Sequence, residues 1–349
     1  MDKIRMGIIG FGYWGPNLTR NFIEIPDSEV VIVADLNEER LKKVKNGSPQ
    51  INVTTNYQDL FNMELDAVAI ATPPVTHYEI AMDCMNHGLH VLVEKPITVI
   101  SAQAEKMIKT AQEKDLILMV GHTFEFNGAV HALKKLIDSG ELGNIYYLDA
   151  ARLNLGLFQN GLNVIWDLAP HDISILNYLM GSAPVSVSAQ GTTCVIKGLH
   201  DTAYINLRYP NDILAHIHVS WLDPCKVRRI TVVGSKKMAV YNDVESLEKI
   251  KIYDEGVETP VYTGDIQNFK YLYRYGDILI PNIRFTEPLR LECQHFLDCI
   301  TNHTQPISNG EDGLRVVKII ETAQQSLINN GREEIFKWAS ESLPESQPM

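Results

Sequence analysis

The sequence predicts an α/β protein in which a doubly wound, parallel-sheet domain precedes an α+β domain with an open, mainly antiparallel sheet. Three observations predict it. From Ile4 to His122, short continuous runs of Val, Ile and Ala alternate with helical patterns, as strands covered on both faces require. A glycine-rich turn, GFGYWG, joins the first run to the first helix. Beyond His122 the runs lengthen and alternate apolar with polar residues, which suits a sheet with one covered face.

The elements follow in order. IRMGII, residues 4–9, is the first strand, and Pro16 suits the first turn of a helix running toward Phe22. EVVIVAD (29–35) is a second strand ending in an acid. A polar helix (38–45), the strand AVAIAT (67–72), a helix (77–87), the strand HVLVEKP (90–96), a helix (101–114) and the strand LILMVGH (116–122) complete the first unit. Helices are then expected over 128–139 and 170–180. The strands PVSVSAQGTT (184–193), DTAYINLRYP (201–210), ILAHIHVSWL (213–222) and KVRRITVVG (226–234) follow, with a hairpin turn at Tyr209 to Asp212. The expected division is 1–123, a dinucleotide-binding domain, 124–339, a substrate-binding and oligomerisation domain, and 340–349, a Ser/Pro/Glu-rich tail that is expected to be flexible. NFKYLYRYGDILIP (268–281) carries period-two aromatics and reads either as a subunit-contact arm or as a core strand.

Composition narrows the classes. The 349 residues carry 31 Lys and Arg against 43 Asp and Glu, a formal charge of −12, so no nucleic-acid footprint is expected. There is no uninterrupted run of 18 apolar residues and the N-terminus lacks a secretory pattern, so the expectation is a cytoplasmic protein without a membrane partner. Cysteines 84, 194, 225, 293 and 299 include no Cys-x-x-Cys pair, which favours reduced thiols. Cys293, His295, Cys299 and His303 are the tightest metal-like cluster, but on a helix Cys293 and Cys299 face different sides. No metal is expected.

Gly10, Gly12 and Gly15 form G-x-G-x-x-G between a predicted strand and a predicted helix. Gly10 permits the tight turn, Gly12 leaves room for a pyrophosphate, Gly15 allows close helix packing, and the helix N-terminus offers N–H groups to the anion. Tyr13 and Trp14, inside the turn, join the cofactor-side set. Asp35 ends the second strand 20 residues after Gly15, where a carboxylate accepts from both ribose hydroxyls. It would repel a 2′-phosphate, and Leu36 and Asn37 offer no cation, so NAD is preferred over NADP; this unit alone leaves SAM and FAD open. ATPPVTH (71–77) and VEKP (93–96) follow strands whose ends line the ligand crevice, making Thr72, Pro73, His77, Glu94 and Lys95 cofactor-side candidates. His77 reads equally as a helix-start residue with a satisfied ring. The isomer of the bond before Pro96 stays open.

In NVIWDLAPHDISILNYL (163–179), Asp167 and His171 stand four residues apart at a predicted helix entry. Helical spacing stacks them on one face, where a carboxylate holds one imidazole nitrogen and frees the other. Pro170 is tolerable in the first turn. The alternative is a helix cap and an internally satisfied histidine. Arg152, Asn154 and Asn163 read either as sugar-hydroxyl ligands or as loop stabilisers.

GIIGFGYWG, ATPPVTH, VEKPIT and WDLAPHDIS resemble, in order and location, the Gfo/Idh/MocA family, named for glucose–fructose oxidoreductase and inositol dehydrogenase. The resemblance implies a Rossmann domain, a second α+β domain with a large open sheet, and dimers or tetramers assembled through that sheet. It implies NAD or NADP chemistry on sugars, cyclitols or nucleotide-linked sugars. It maps a catalytic set onto Lys95, Asp167 and His171, with His171 as acid/base, Asp167 orienting it and Lys95 holding the oxyanion. Lys95 also reads as a cofactor ligand or as the partner of Glu94 or Asp167. Gly121-His122-Thr123 and Phe126-Asn127 resemble the crossover segment and add His122 and Asn127 on the substrate side. Arg228 and Arg229, beside Trp221 and Lys226, suit a diphosphate or carboxylate, or pair with surplus carboxylates. The favoured substrate is a UDP-linked amino sugar or uronic acid oxidised at ring carbon three. A free-sugar or cyclitol dehydrogenase and a non-catalytic NAD-sensing protein are the alternatives.

Overall fold

The computed structural model describes residues 3–156, 158, 162–258, 272–284 and 286–338. Its first sheet is parallel and six-stranded. The strands are β1 (Ile4–Ile9), β2 (Ser28–Ala34), β3 (Asn52–Thr54), β4 (Ala67–Ile70), β5 (His90–Glu94) and β6 (Leu118–Gly121), in the spatial order β3-β2-β1-β4-β5-β6. The order reverses at β1, so the crevice beyond the strand ends opens between β1 and β4, where the GFGYWG turn and the ATPP segment lie. Helices α1 (Gly15–Glu24), α2 (Glu38–Gly47), α3 (His77–Asn86) and α4 (Ser101–Glu113) cover the sheet. Ile8, Val33, Ala69, Val91 and Val120 are buried, as strands covered on both faces require. The sequence reading missed β3, which has only three residues and no apolar run.

The second sheet has nine strands and is mixed. Helices α5 (Gly128–Asp138) and α6 (Val164–Met180) flank β7 (Ile145–Leu155) in the chain. After them come β8 (Ser186–Thr192), β9 (Thr202–Tyr209), β10 (Ile213–Ser220), β11 (Leu222–Gly234), β12 (Met238–Asn242), β13 (Ile250–Glu258), β14 (Leu272–Leu279) and β15 (Glu334–Ile335). The order is β14-β13-β12-β11-β7-β10-β9-β8-β15, with β7 and β10 parallel and the other pairs antiparallel. The turn between β9 and β10 carries Asn211 and Asp212 at positive φ, which Asn and Asp tolerate better than most residues. The unpredicted β7 sits at the centre, between β10 and β11. Its sequence, IYYLDAARLNL, departs from clean alternation because α6 covers Arg152 on its inner side. Of the aromatic arm, residues 268–271 lie outside the described residues, and the remainder forms β14, an exposed edge strand. The expected tail 340–349 lies outside them as well.

Helix α6 begins six residues earlier than the sequence reading placed it. The Asn163 side chain caps it by accepting the Ile165 and Trp166 N–H groups, and Gly181, at φ +63°, ends it. Pro170 therefore lies in the second turn rather than the first. Without an N–H it leaves the Trp166 carbonyl lacking its helical donor.

Two further helices, α7 (Pro288–Asn302) and α8 (Gly310–Ile328), return the chain to the first sheet. Leu289, Cys293, Phe296 and Leu297 of α7 share a buried cluster with Met6, Ile8, Leu18 and Phe22. Asn309 and Asp312 close α8 with a reciprocal capping box. Val120 of β6 donates its N–H to the Ser308 carbonyl at 2.8 Å, which ties this return to the sheet edge. Phe296 is fully buried. Phe296→Ala is therefore expected to lower stability by about 3–5 kcal/mol, seen as a lower urea midpoint, because it empties a large site beneath β1.

Candidate active site

The turn after β1 has the geometry its glycines imply. Gly10 stands at φ +94°, and a Cβ on Gly15 would fall 2.1 Å from the Gly10 carbonyl oxygen. Near Gly12 an added Cβ would meet only the Arg40 guanidinium, at 3.8 Å. Helix α1 starts without a side-chain cap, so its first N–H groups face the turn for an anion. Asp35 accepts the Phe11 N–H at 2.6 Å and the Asn37 N–H at 2.8 Å, which fixes its carboxylate beside the turn. These residues fit a bound dinucleotide.

Two cofactor-side expectations need correction. A cation does stand beside Asp35: Arg40 Nη1 lies 3.3 Å from Oδ2. Leu36 and Asn37 carry no charge, whereas the first turn of α2 brings residue 40 back over residue 35. His77 is fully buried, its two ring nitrogens each 2.9 Å from a carbonyl oxygen, of Pro96 and of Thr72, with the single N–H of the neutral ring donated to one of them. It joins the two segments at the crevice and leaves no ring nitrogen for a cofactor. The Lys95–Pro96 bond is cis. The Thr72 hydroxyl accepts from Thr76 at 2.8 Å, and Pro73 precedes the short 3-10 turn Pro74–Thr76.

Between the two sheets lies a cleft of about 590 Å³. Tyr13, Trp14, Glu94 and Lys95 line it from the first sheet, and Asp167 and His171 from α6. Lys95 Nζ donates to the Asp167 carbonyl at 3.2 Å. Two segments 72 residues apart in the chain thus meet across the cleft. The carboxylate of Asp167, however, accepts from Trp221 Nε1 at 2.9 Å and not from His171. Four-residue spacing put both side chains on one face, but buried Trp221 at the end of β10 presents a donor from the side. His171 packs edge-on against Phe124, with centroids 5.1 Å apart. Burial, then the positive charges of Lys95 and Arg152, hold its imidazole well below the usual range. Burial also lowers Lys95, while Asp167 and Glu94 oppose the shift.

The substrate-side candidates divide. Asn127, Arg152, Asn154 and Arg228 line the cleft. Arg152 is already bound through two contacts to Asp172, at 2.7 and 3.1 Å, and its guanidinium sits 4.8 Å from the Phe124 ring centroid. Asn127 caps α5 and donates to Tyr241 at 3.3 Å. Arg228 pairs with Asp243 at 3.4 Å. Three candidates do not reach the cleft. Arg229 follows Arg228 on β11 and so points to the opposite, exposed face. Asn163 spends its side chain on the α6 cap and on Gln324, 2.6 Å away. His122 is buried with neither ring nitrogen partnered among the described residues, and burial pushes it down to about 3.

Sequence reasoning missed Lys249, Arg284 and Asp243 in the cleft wall and Trp221 as the holder of Asp167. The first three lie on strands or loops with no motif. Trp221 was visible, but only as an aromatic beside basic residues. Among the described residues no group of three or more His, Cys, Asp or Glu could hold a metal ion, and no helix is long and apolar enough to cross a membrane.

A dinucleotide turn on a six-stranded parallel sheet, facing a second α+β unit across a cleft, is the architecture of an oxidoreductase of the two-domain Rossmann type. Residues 4–122 match the family model described as "Oxidoreductase family, NAD-binding Rossmann fold", and residues 130–240 match the GFO/IDH/MocA C-terminal domain. The chain belongs to the GFO/IDH/MocA family. It is 26% identical over 346 residues to myo-inositol 2-dehydrogenase of Thermotoga maritima, covering 93% of this chain and 96% of that one. It is 28% identical over 325 residues to UDP-N-acetylglucosamine 3-dehydrogenase of Acidithiobacillus ferrooxidans, covering 91% and 95%. A solved structure of that enzyme superposes with a TM-score of 0.76 at 27% identity, over 94% and 98% of the two chains.

Trp221→Phe is expected to keep most of the buried ring while removing the hydrogen bond to Asp167. NADH-linked turnover should then fall by about tenfold as the Asp167 carboxylate loses the donor that fixes it, and the unfolding midpoint should fall as well, since a hydrogen bond to a charged group is worth about 1.5–3 kcal/mol.

Proposed function

We propose that this protein is an NAD-dependent dehydrogenase acting on a ring secondary alcohol, with Lys95, His171 and Asp167 as its reacting set. The observation that carries the reading is the meeting of Lys95 with α6 at the Asp167 carbonyl, 3.2 Å away, inside the cleft that also holds His171. NAD bound along the GFGYWG turn supplies the hydride acceptor. His171 takes the hydroxyl proton, since a neutral imidazole is a competent base and an aliphatic hydroxyl does not ionise by itself. Lys95 holds the same oxygen and stabilises its developing charge. Asp167, fixed by Trp221, adds negative charge beside Lys95 and favours its ammonium form. In reduction the steps reverse and His171 donates.

For the substrate, we favour a UDP-linked amino sugar or uronic acid oxidised at ring carbon three. A 590 Å³ cleft has room for more than one ring, and its wall carries Lys226, Arg228, Lys249 and Arg284, suited to a diphosphate. A relative named for a UDP-sugar 3-dehydrogenase supports it. A free sugar or cyclitol is the second reading, favoured by the engagement of Arg228 with Asp243 and of Lys249 with the same carboxylate at 3.6 Å. The open face of the nine-stranded sheet exposes Tyr147, Tyr204 and Leu214, and pairing of that face between subunits is the proposed homo-oligomer contact.

His171→Asn should lower turnover by about 10²–10⁴-fold while NAD affinity stays near that of the unmodified protein, measured by NADH absorbance and fluorescence titration. Unchanged turnover would contradict the proton-transfer role. The pH profile has a definite sign. A lowered His171 keeps its basic form as pH falls through 6.5, so the acid limb of kcat/KM belongs below 6.5. A lowered Lys95 begins to lose its ammonium before 10.5, which sets the alkaline limb below that value. For the cofactor, Asp35 accepts two N–H groups and faces the ribose with Arg40 beside it at 3.3 Å. NAD is expected to bind at least tenfold more tightly than NADP, since one charge repulsion of about 1.4 kcal/mol suffices. Equal affinities would show that Arg40 cancels Asp35.

A further inference from the structure

A second acidic group lies directly behind the proposed site, outside the cleft wall. Glu292 of α7 is fully buried, and neither of its carboxylate oxygens has a hydrogen-bond partner among the described residues. Glu94, the last residue of β5, is 7% exposed, and its Oε1 is likewise without a partner. Gly121 faces Glu94 in the β5–β6 register. A Cβ built on Gly121 would lie 3.2 Å from Glu94 Oε2 and 3.3 Å from Glu292 Oε1. Both carboxyl groups therefore converge on the one α-carbon that carries no side chain. Buried orphan acceptors are costly, and two anions in one desolvated space cost more. A single proton held between them removes both penalties.

We propose that Glu292 is a positioning residue: as a carboxylic acid it shares one proton with Glu94 across Gly121, and so keeps Glu94 anionic beside the Lys95 ammonium. The inference rests on the dehydrogenase reading for its consequence, though not for the proton itself. Burial, followed by the charge of Glu94, raises Glu292 well above the ordinary carboxylate range. Burial raises Glu94 only to about 7, because Lys95 opposes it. Of the two, Glu292 holds a proton the more strongly, and the negative charge falls preferentially on Glu94. The other groups facing the pair are accounted for. The Thr123 side chain, on the 3-10 turn after β6, favours the ionised form of Glu292 and so opposes the shift. Glu125 on that turn is itself raised by burial, by Asp312 and by Glu292. The Cys293 thiol beside Glu292 is raised by burial, and His122 is held neutral by burial and by Lys95. Asp167 and Arg152 act on Lys95 from the far side, with opposite signs. Lys95 is the cation that faces Glu94, so losing the Glu94 charge would lower the lysine further.

The test uses the full-length protein and two variants. Glu292→Gln keeps an N–H donor toward Glu94 without adding charge. Glu292→Leu removes the donor, so Glu94 takes the proton up itself. In NADH-linked assays the alkaline limb should stay within about 0.3 pH unit of the unmodified protein for Glu292→Gln. For Glu292→Leu it should fall by about one unit, since Lys95 loses the Glu94 charge and keeps only that of Asp167 to favour its ammonium form. An unmoved limb in Glu292→Leu, or equal displacement in both variants, would overturn the proposal. A second readout needs neither turnover nor Glu292→Leu to fold. The infrared difference between unmodified protein and Glu292→Gln at pH 7 should contain the carbonyl stretch of a protonated carboxylic acid, with Glu125 and Asp312 cancelling. Its absence overturns the proposal in an active or an inactive protein. Its presence in a protein that oxidises no sugar would leave the shared proton standing and remove the dehydrogenase reading instead.

Discussion

The structure depends on one constraint: a cation on the nucleotide-binding sheet must reach a helix that belongs to the other sheet. Lys95 meets that constraint through the Asp167 carbonyl, and much of the surrounding architecture serves it. His77 sits between the Pro96 and Thr72 carbonyls, which holds the segment after β5 against the segment after β4. Asn163 fixes where α6 begins, and with it the heights of Asp167 and His171 along the cleft. Arg152 and Asp172 tie α6 to the central strand of the large sheet through a buried, two-contact ion pair. Removing one partner of such a pair strands the other charge at a cost of about 3–5 kcal/mol, so its value here is positional as much as energetic. Helix α7 completes the arrangement by packing its apolar face beneath β1.

Charge in this site is set by burial first and by neighbours second. His171 and His122 are both pushed down by desolvation, yet only His171 opens into the cleft. A neutral ring in contact with the cleft is useful for proton transfer, whereas a neutral ring sealed behind it is packing. The acids divide in the same way. Asp167 accepts an indole N–H and favours the ammonium form of Lys95, while Glu292 and Glu125 are driven toward their neutral forms. The cleft thus keeps a base and a cation side by side, although each disfavours the charged state of the other.

The first sheet was legible because its chemistry is local. A covered parallel strand announces itself as four to six consecutive apolar residues, and a phosphate turn as glycines at fixed spacing. Both predicted glycine roles appear in the backbone, Gly10 in its positive φ and Gly15 in the absence of space for a Cβ. Lys95, Asp167 and His171 were read together because the family resemblance supplied the long-range pairing that spacing cannot; the structure brings Lys95 to α6 but gives the Asp167 carboxylate to Trp221. What stayed hidden depends on partners far apart in the chain. Strand β7 disguises itself because Arg152 needs a carboxylate on α6. Trp221 lies 54 residues from the Asp167 it holds. Arg229 looked equivalent to Arg228, but a strand sends neighbours to opposite faces. Arg40 shows the reverse failure, since one turn of helix places it over Asp35 and a reading confined to the next two residues passed it by.

The most direct measurement is a crystal structure of the protein with NAD and a bound sugar substrate or unreactive analogue. The expected result is one substrate hydroxyl within hydrogen-bond distance, about 2.6–3.2 Å, of both Lys95 Nζ and a His171 ring nitrogen, with the carbon bearing it against the nicotinamide ring. A complex in which Lys95 and His171 contact different parts of the ligand, or in which the sugar sits away from the nicotinamide, would contradict the account.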